Sequence, residues 1–247
     1  MKIWVEEPSF KALKIGCVID EGIASPDNSM ILFYGERAPW WVKIKAKGSV
    51  GHGSRFIENT AVLKLLGMLN QLSDFRENEK EKLHRQKELT LGDVTTLNIT
   101  NLQGGVGQPN VIPSEMEAVV DIRIPPSVDL KKFDTLLNSW AKNHDVELEY
   151  INKSLVNPES PHSNKDSWWS TIQRTLNDQG IEIQPRIFPA ATDSRFIRHS
   201  GIPAYGFSPI KNTQVLMHDH DEHLSQSIFL EGIEIFVHLM VSLSNQI

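Results

Sequence analysis

Apolar positions along the chain change period several times, and each change predicts an element. Leu13-Lys14-Ile15-Gly16-Cys17-Val18-Ile19-Asp20 is a compact, mostly apolar run, the pattern of a buried strand in an α/β sheet. It ends in Asp20-Glu21-Gly22, two acids at the C-terminal end of a strand, where open α/β sheets place their ligands. Met30 to Tyr34 reads as a second short strand. From Trp41 the segment Trp41-Val42-Lys43-Ile44-Lys45-Ala46 alternates at period two, which predicts a strand with one wet face. Residues 58–85 then switch to helical spacing, with Val62, Leu65, Leu66, Leu69, Leu72 and Phe75 on one stripe. The charge run Arg76 to Lys82 is the solvated end of that helix.

Two more strands are predicted at Val94 to Leu102 and Glu115 to Ile124, separated by the glycine- and proline-rich loop Gln103-Gly104-Gly105-Val106-Gly107-Gln108-Pro109-Asn110. Asp129 caps a helix with Leu130, Phe133, Leu136, Leu137 and Trp140 on its apolar side, and Val146 to Tyr150 closes the series as an alternating strand. The order β-α-β-β-α-β from Trp40 to Ile151 is a split βαβ arrangement, large enough to be a domain. After the proline-punctuated linker Asn157 to Asn164 an α/β rhythm resumes. It comprises a helix from about Asp166 to Asp178, a strand Ile181 to Phe188, a short helix through Phe196 and Ile197, and a strand Ala204 to Phe207. A terminal helix follows, with Ile228, Ile235, Phe236, Leu239, Met240 and Leu243 predicted as core. The fold class is therefore α/β: an α/β domain over residues 1–33 and 162–247, interrupted by an inserted α+β domain over 34–161.

The 247 residues are 40% hydrophobic and 23% charged, an ordinary globular composition, with a net charge of −6. That charge gives no basic footprint for nucleic acid or an anionic membrane and favours a small-molecule partner. A single cysteine, Cys17, cannot form an intrachain disulfide. The N-terminal residues turn acidic at Glu6-Glu7 before any signal-peptide core develops, and no apolar run approaches the length of a membrane span. A cytoplasmic location is the expectation.

Residues His218 to His223 hold three histidines and three acids between the apolar ends Val215-Leu216-Met217 and Leu224. Imidazole and carboxylate are ligands that zinc accepts, and the apolar lead-in predicts a strand delivering them to a sheet edge. A solvated acidic turn is the alternative.

Six segments occur in a fixed order: Asp20-Glu21-Gly22-Ile23-Ala24; Gly51-His52-Gly53-Ser54-Arg55-Phe56; Gly104-Gly105 with Asn110-Val111-Ile112-Pro113; Asp121-Ile122-Arg123; Ala190-Ala191-Thr192-Asp193-Ser194-Arg195; and His218-Asp219-His220-Asp221-Glu222. Together they resemble the aminoacylase-1 branch of the dizinc aminoacylase and carboxypeptidase-G2-like metallohydrolases, over the whole chain.

The resemblance implies a zinc-exopeptidase-like α/β catalytic domain carrying an inserted domain for homodimerisation, and hydrolysis of N-acyl-L-amino acids. It implies that Glu21 and His218 each bind one of two zinc ions, with Asp20 and Glu222 as supporting groups beside them. His52 of one subunit would stabilise the oxyanion in its partner's site, aided by Asn110, while Arg123, Thr192 and Arg195 would engage the substrate carboxylate or its surroundings. Between Gly104-Gly105 and Asn110 there are four residues, against the three usual in the family. The family's His-x-Asp motif, bridging aspartate and Glu-Glu pair precede the Asp-Glu-Gly strand, and Met1 lies only twenty residues before Glu21. The expectation is an N-terminally truncated form, with an incomplete zinc site and no general base, inactive by itself; the alternative is a non-catalytic dimerising protein.

Overall fold

The computed structural model describes residues 1–246. In chain order its elements begin with α1 (Pro8–Ala12), β1 (Val18–Glu21), β2 (Met30–Glu36), β3 (Ala38–Lys47), β4 (Gly51–His52) and α2 (Ala61–Arg85). They continue with β5 (Thr96–Gly104), β6 (Val111–Ile112), β7 (Glu115–Ile124), α3 (Leu130–Asn143) and β8 (Glu147–Lys153). The last are α4 (Ser167–Asn177), β9 (Ile183–Phe188), α5 (Ser194–His199), β10 (Ala204–Phe207) and α6 (Gln226–Ser244). Two compact units result, one from Met1–Glu36 and the chain from Asn157 onward, the other Arg37–Val156.

The first unit has a four-stranded mixed sheet in the order β1-β10-β2-β9. β1 runs parallel to β10, from Val18 beside Ala204 to Glu21 beside Phe207, and β10 runs antiparallel to β2. The alternation of β10 sends its residues to two cores. Tyr205 and Phe207 join Met30, Leu32, Trp169, Ile172, Leu176, Ile235 and Leu239 under α4 and α6, whereas Ala204 packs with Val5 from the turn before α1, Phe10 of α1 and Ile197 of α5.

β1 is shorter than the apolar run predicts. Lys14 takes a left-handed φ of 50°, and Gly16 lies so close to the Trp168 indole that a Cβ would approach Cζ2 to 2.5 Å. The strand therefore starts only at Val18.

In the second unit the sheet order is β5-β7-β3-β8, all antiparallel. Trp40, Val42, Ile44 and Ala46 of β3 and Ala118, Val120, Ile122 and Ile124 of β7 face inward against Leu65, Met68 and Leu72 of α2 and Phe133 and Leu137 of α3. Lys43 and Lys45 take the wetter face, as period-two alternation requires. Thr60 caps α2 by accepting from the Leu63 amide at 3.3 Å, and Asp129 caps α3 by accepting from Lys131 and Lys132 at 2.9 and 3.1 Å. β4 and β6 form a separate two-stranded ribbon pairing His52 with Val111. Not all apolar stripe positions are core: Val62 and Leu66 of α2 are exposed, because Ala61, Leu65, Met68 and Leu72 form its buried line.

α6 also departs from expectation. Ile235 and Leu239 are buried, but Met240, predicted as core, is 64% exposed, and Phe229, Leu230, Ile233, Val237 and Val241 are exposed with it. Contrary to the reading of the sequence, this 19-residue helix, of mean hydropathy 1.5, is long and apolar enough to cross a membrane by length and composition.

Candidate functional site

In the first unit the candidate residues gather around the loop before α5. Asp20 accepts from the Ser194 amide at 3.0 Å and from its hydroxyl at 2.6 Å, which fixes the carboxylate at the end of β1. Ser194 N–H also donates to Thr192 Oγ1 at 3.1 Å. Thr192 is itself tied down, donating from its amide and hydroxyl to the two Glu36 oxygens at 2.8 Å each. Arg198 Nη1 donates to Glu36 Oε2 at 2.9 Å, and its Nε donates to the Ala204 carbonyl at 2.9 Å. Arg195 donates to the Thr192 carbonyl at 2.5 Å, its Nη1 lies 3.6 Å from Glu36 Oε1, and its guanidinium sits over Phe196.

Burial pushes the Glu36 carboxyl above its ordinary range, with Arg198 and Thr192 offsetting only part of that effect. The Arg198 guanidinium is pulled down by the same burial, against the attraction of Glu36. Sequence reasoning passed over this pair. Glu36 follows two residues after Tyr34 in an otherwise apolar strand, and an acid inside such a run is the one hint of a buried charge needing a partner.

Glu21 is exposed at the end of β1. The histidine-rich segment is not a strand: residues around it form turns, His218 and Asp221 have φ of 61° and 57°, and the whole stretch His218 to Leu224 is exposed. Alternating charges with no apolar partner on either face give a solvated turn instead of a sheet element. Glu222 and His223 line a cavity of about 340 Å³ together with Gly22, Ile23, Ala24, Ile210 and Leu216. That brings the end of the His-rich segment beside the turn after Glu21. Among the described residues no group of three or more His, Cys, Asp or Glu is disposed to hold a metal ion. Glu21 and His218 do not by themselves make a zinc site, which takes three or four protein ligands.

In the second unit His52 sits exposed on the ribbon. The Ser54 amide donates to His52 Nδ1 at 3.2 Å, so Nδ1 is the acceptor and Nε2 carries the proton. The Asn110 carboxamide lies 3.1 Å from Nε2, and with its oxygen toward the ring it accepts that proton. The pairing of β4 with β6 explains the meeting: Gly53 N–H donates to the Asn110 carbonyl at 2.8 Å, bringing residues 58 positions apart together. Arg123 is already engaged, its Nε and Nη2 donating to the two Asp121 oxygens at 2.6 and 2.8 Å. Beside it the Arg37 guanidinium is lowered to about 10 by burial and by the charge of Arg123.

Comparisons with known proteins follow this division. Residues 34–149 match the peptidase dimerisation domain. Human aminoacylase-1 is 43% identical over 247 residues, covering 99% of this chain and 60% of that protein. Aminoacylase-1 of Dictyostelium discoideum is 44% identical over 255 residues, covering 99% and 62%. An M20 family metallo-carboxypeptidase from Sulfolobus solfataricus superposes with a TM-score of 0.67 at 15% identity, over 97% of this chain and 66% of that one, which is a likeness of fold. The chain thus spans about 60% of the length of the curated relatives it matches. Along 99% of its length it is similar to aminoacylase-1, and residues 34–149 match the peptidase dimerisation domain.

Proposed function

We propose that this chain supplies the dimerising and substrate-gripping part of an aminoacylase-type amidohydrolase acting on N-acyl-L-amino acids. The observation that carries the reading is the His52 imidazole, held on an exposed ribbon with its proton on Nε2 and Asn110 beside it. When water adds to an amide carbonyl, negative charge develops on oxygen before the C–N bond breaks to give a carboxylate and an amino acid. A preoriented N–H aimed at that oxygen is worth about 10²–10³ in rate. His52 Nε2–H is that donor in a homodimer partner's site, where the substrate oxygen takes the place that the Asn110 carboxamide holds beside Nε2 here. Arg195 takes the free carboxylate of the substrate, with Thr192 holding its loop; Arg123, engaged by Asp121, shapes the surroundings.

Zinc, where bound in such a site, activates the attacking water. Glu21 and His218 are read as one ligand apiece, with Asp20 and Glu222 supporting them, and two ligands fall short of the catalytic complement. The chain by itself is therefore inactive. Purified protein supplied with zinc should show no hydrolysis of N-acetylmethionine above background and should lose its zinc on dialysis. Sustained turnover with stoichiometric zinc would overturn the reading.

A second reading, a non-catalytic dimerising protein, draws on the exposed Val62, Leu63 and Leu66 of α2 within the matched dimerisation region. Both readings place the chain in the cytoplasm, in keeping with its lone Cys17.

A further inference from the structure

The ribbon that carries His52 ends in a side chain the reaction does not use. Phe56 is 104% exposed, so its ring gains nothing from its own chain, and Val50 and Val111 beside it are also exposed. A bare aromatic in the loop after β4 is the residue type that anchors protein interfaces when seated in a pocket. This segment is basic as well as apolar: from Gly48 to Ile57 it holds His52 and Arg55 and no acid.

The complementary surface lies on the first unit. The 340 Å³ cavity next to Gly22 has a largely apolar wall from Ile23, Ala24, Ile210, Leu216 and Leu224, with Glu222 at its lining. Glu21 and Asp221, each next in sequence to a lining residue, are both exposed, and His223 also lines the cavity. A largely apolar cavity with Glu222 at its edge matches an aromatic flanked by a base, in shape class and in sign.

We propose that Phe56 of one copy seats in this cavity of a second copy, with Arg55 meeting Glu222 at the rim. The partner is a second copy because the segment belongs to the region matching a dimerisation domain. The inference rests on the reading that His52 serves a partner subunit, and it names Phe56 as the anchor that registers the ribbon there. It also gives the dimer contact a consequence for chemistry: the anchor lies four residues from His52, so seating it fixes where the imidazole points.

The test replaces Phe56 with photoreactive p-benzoylphenylalanine in the intact chain, after equilibrium sedimentation has established its assembly state. An equal mixture of 15N-labelled and unlabelled chain is irradiated, and crosslinked peptides are mapped. The expected result is a dimer giving mixed-isotope adducts between position 56 and residues 22–24 or 208–224. A dimer whose adducts are absent, or fall within one chain, overturns the anchor while leaving the dimeric reading intact; a monomer overturns both. As an independent arm, Arg55→Glu should weaken dimerisation at least tenfold, and adding Glu222→Arg to the same chain should restore it. Failure of the second change to restore association would also overturn the pairing.

Discussion

Glu36 of β2 and Arg198 of α5, 162 residues apart in sequence, meet at 2.9 Å with only 1% and 2% of their side chains exposed. Removing one partner of such a pair leaves the other charge buried without compensation, at a cost of about 3–5 kcal/mol. Glu36→Gln should lower stability by that order in urea denaturation. Glu36→Gln combined with Arg198→Met should lose clearly less than Arg198→Met and Glu36→Gln add up to singly, the signature of coupled neighbours in a double-mutant cycle.

The Asp134 carboxyl is one acid-sensitive element of the second unit. Partial burial raises its pKa, but Lys153 at 2.6 Å, the Tyr150 hydroxyl at 2.6 Å and Asn138 together outweigh it and hold the group below its ordinary range. A depressed folded pKa contributes stability that is fully present above the unfolded value of about 3.9 and lost as pH falls through the folded value. Urea midpoints taken from pH 6 downward should therefore fall in that acid window, and Asp134→Asn should flatten the fall.

Cys17 should be a sluggish thiol. Burial, then the Asp166 charge, push its pKa up to about 12, so the thiolate is scarce at neutral pH. Iodoacetamide at pH 8 should label the native protein slowly and the urea-unfolded protein at the rate of a free cysteine. Equal rates would show that the thiol is not protected.

Gly22, directly after Glu21, cannot carry a side chain without moving the backbone. A Cβ there would lie 2.5 Å from the Ser208 amide nitrogen and 2.7 Å from the Phe207 carbonyl carbon. Overpacking of this kind costs about 1–3 kcal/mol. Gly22→Ala should lower the denaturation midpoint accordingly, whereas Gly105→Ala, in open space, should lose less, its cost confined to the backbone strain of a φ of 93°.

The bare side of α6 is a separable liability. Polar replacements at Phe229, Ile233 and Val237, each about half exposed, should leave unfolding free energy within about 0.5 kcal/mol per site while reducing binding of hydrophobic dyes and concentration-dependent scattering.

The elements were legible where period and burial agree. β3 and β7 alternate strictly, α3 has both an apolar side and Asp129 as cap, and these strands and helices follow the pattern closely. Legibility failed where an apolar residue had another reason to be present. Leu13 to Cys17 has the composition of a strand, but Lys14 turns left-handed at a φ of 50° and Gly16 packs its backbone against the Trp168 indole, 152 residues later. Met240 and its neighbours lie on an apolar helix of which only one side meets this chain's sheet.

Of the candidate site, Asp20, Thr192 and Arg195 cluster because one loop brings them together, and His52 meets Asn110 because a short ribbon does. Glu36 and Arg198, which hold that loop, left almost no trace in local sequence, since a buried ion pair is defined by its partner and not by its neighbours. The histidine-rich segment, the most conspicuous stretch of the sequence, forms exposed turns and not a strand, because a dense row of polar groups is satisfied in water.

The two units also differ in the loops their sheets must close. Every strand of the Arg37–Val156 sheet lies within that continuous stretch, and its longest-range pairing, Trp40 with Lys153, spans 113 residues. The other sheet places Val18 beside Ala204, 186 residues further along the chain. Closing so long a loop is slow compared with local pairing. The continuous Arg37–Val156 unit can therefore fold on shorter loops, whereas the other unit must close a loop as long as the whole insertion to join β1 and β2 to β9 and β10.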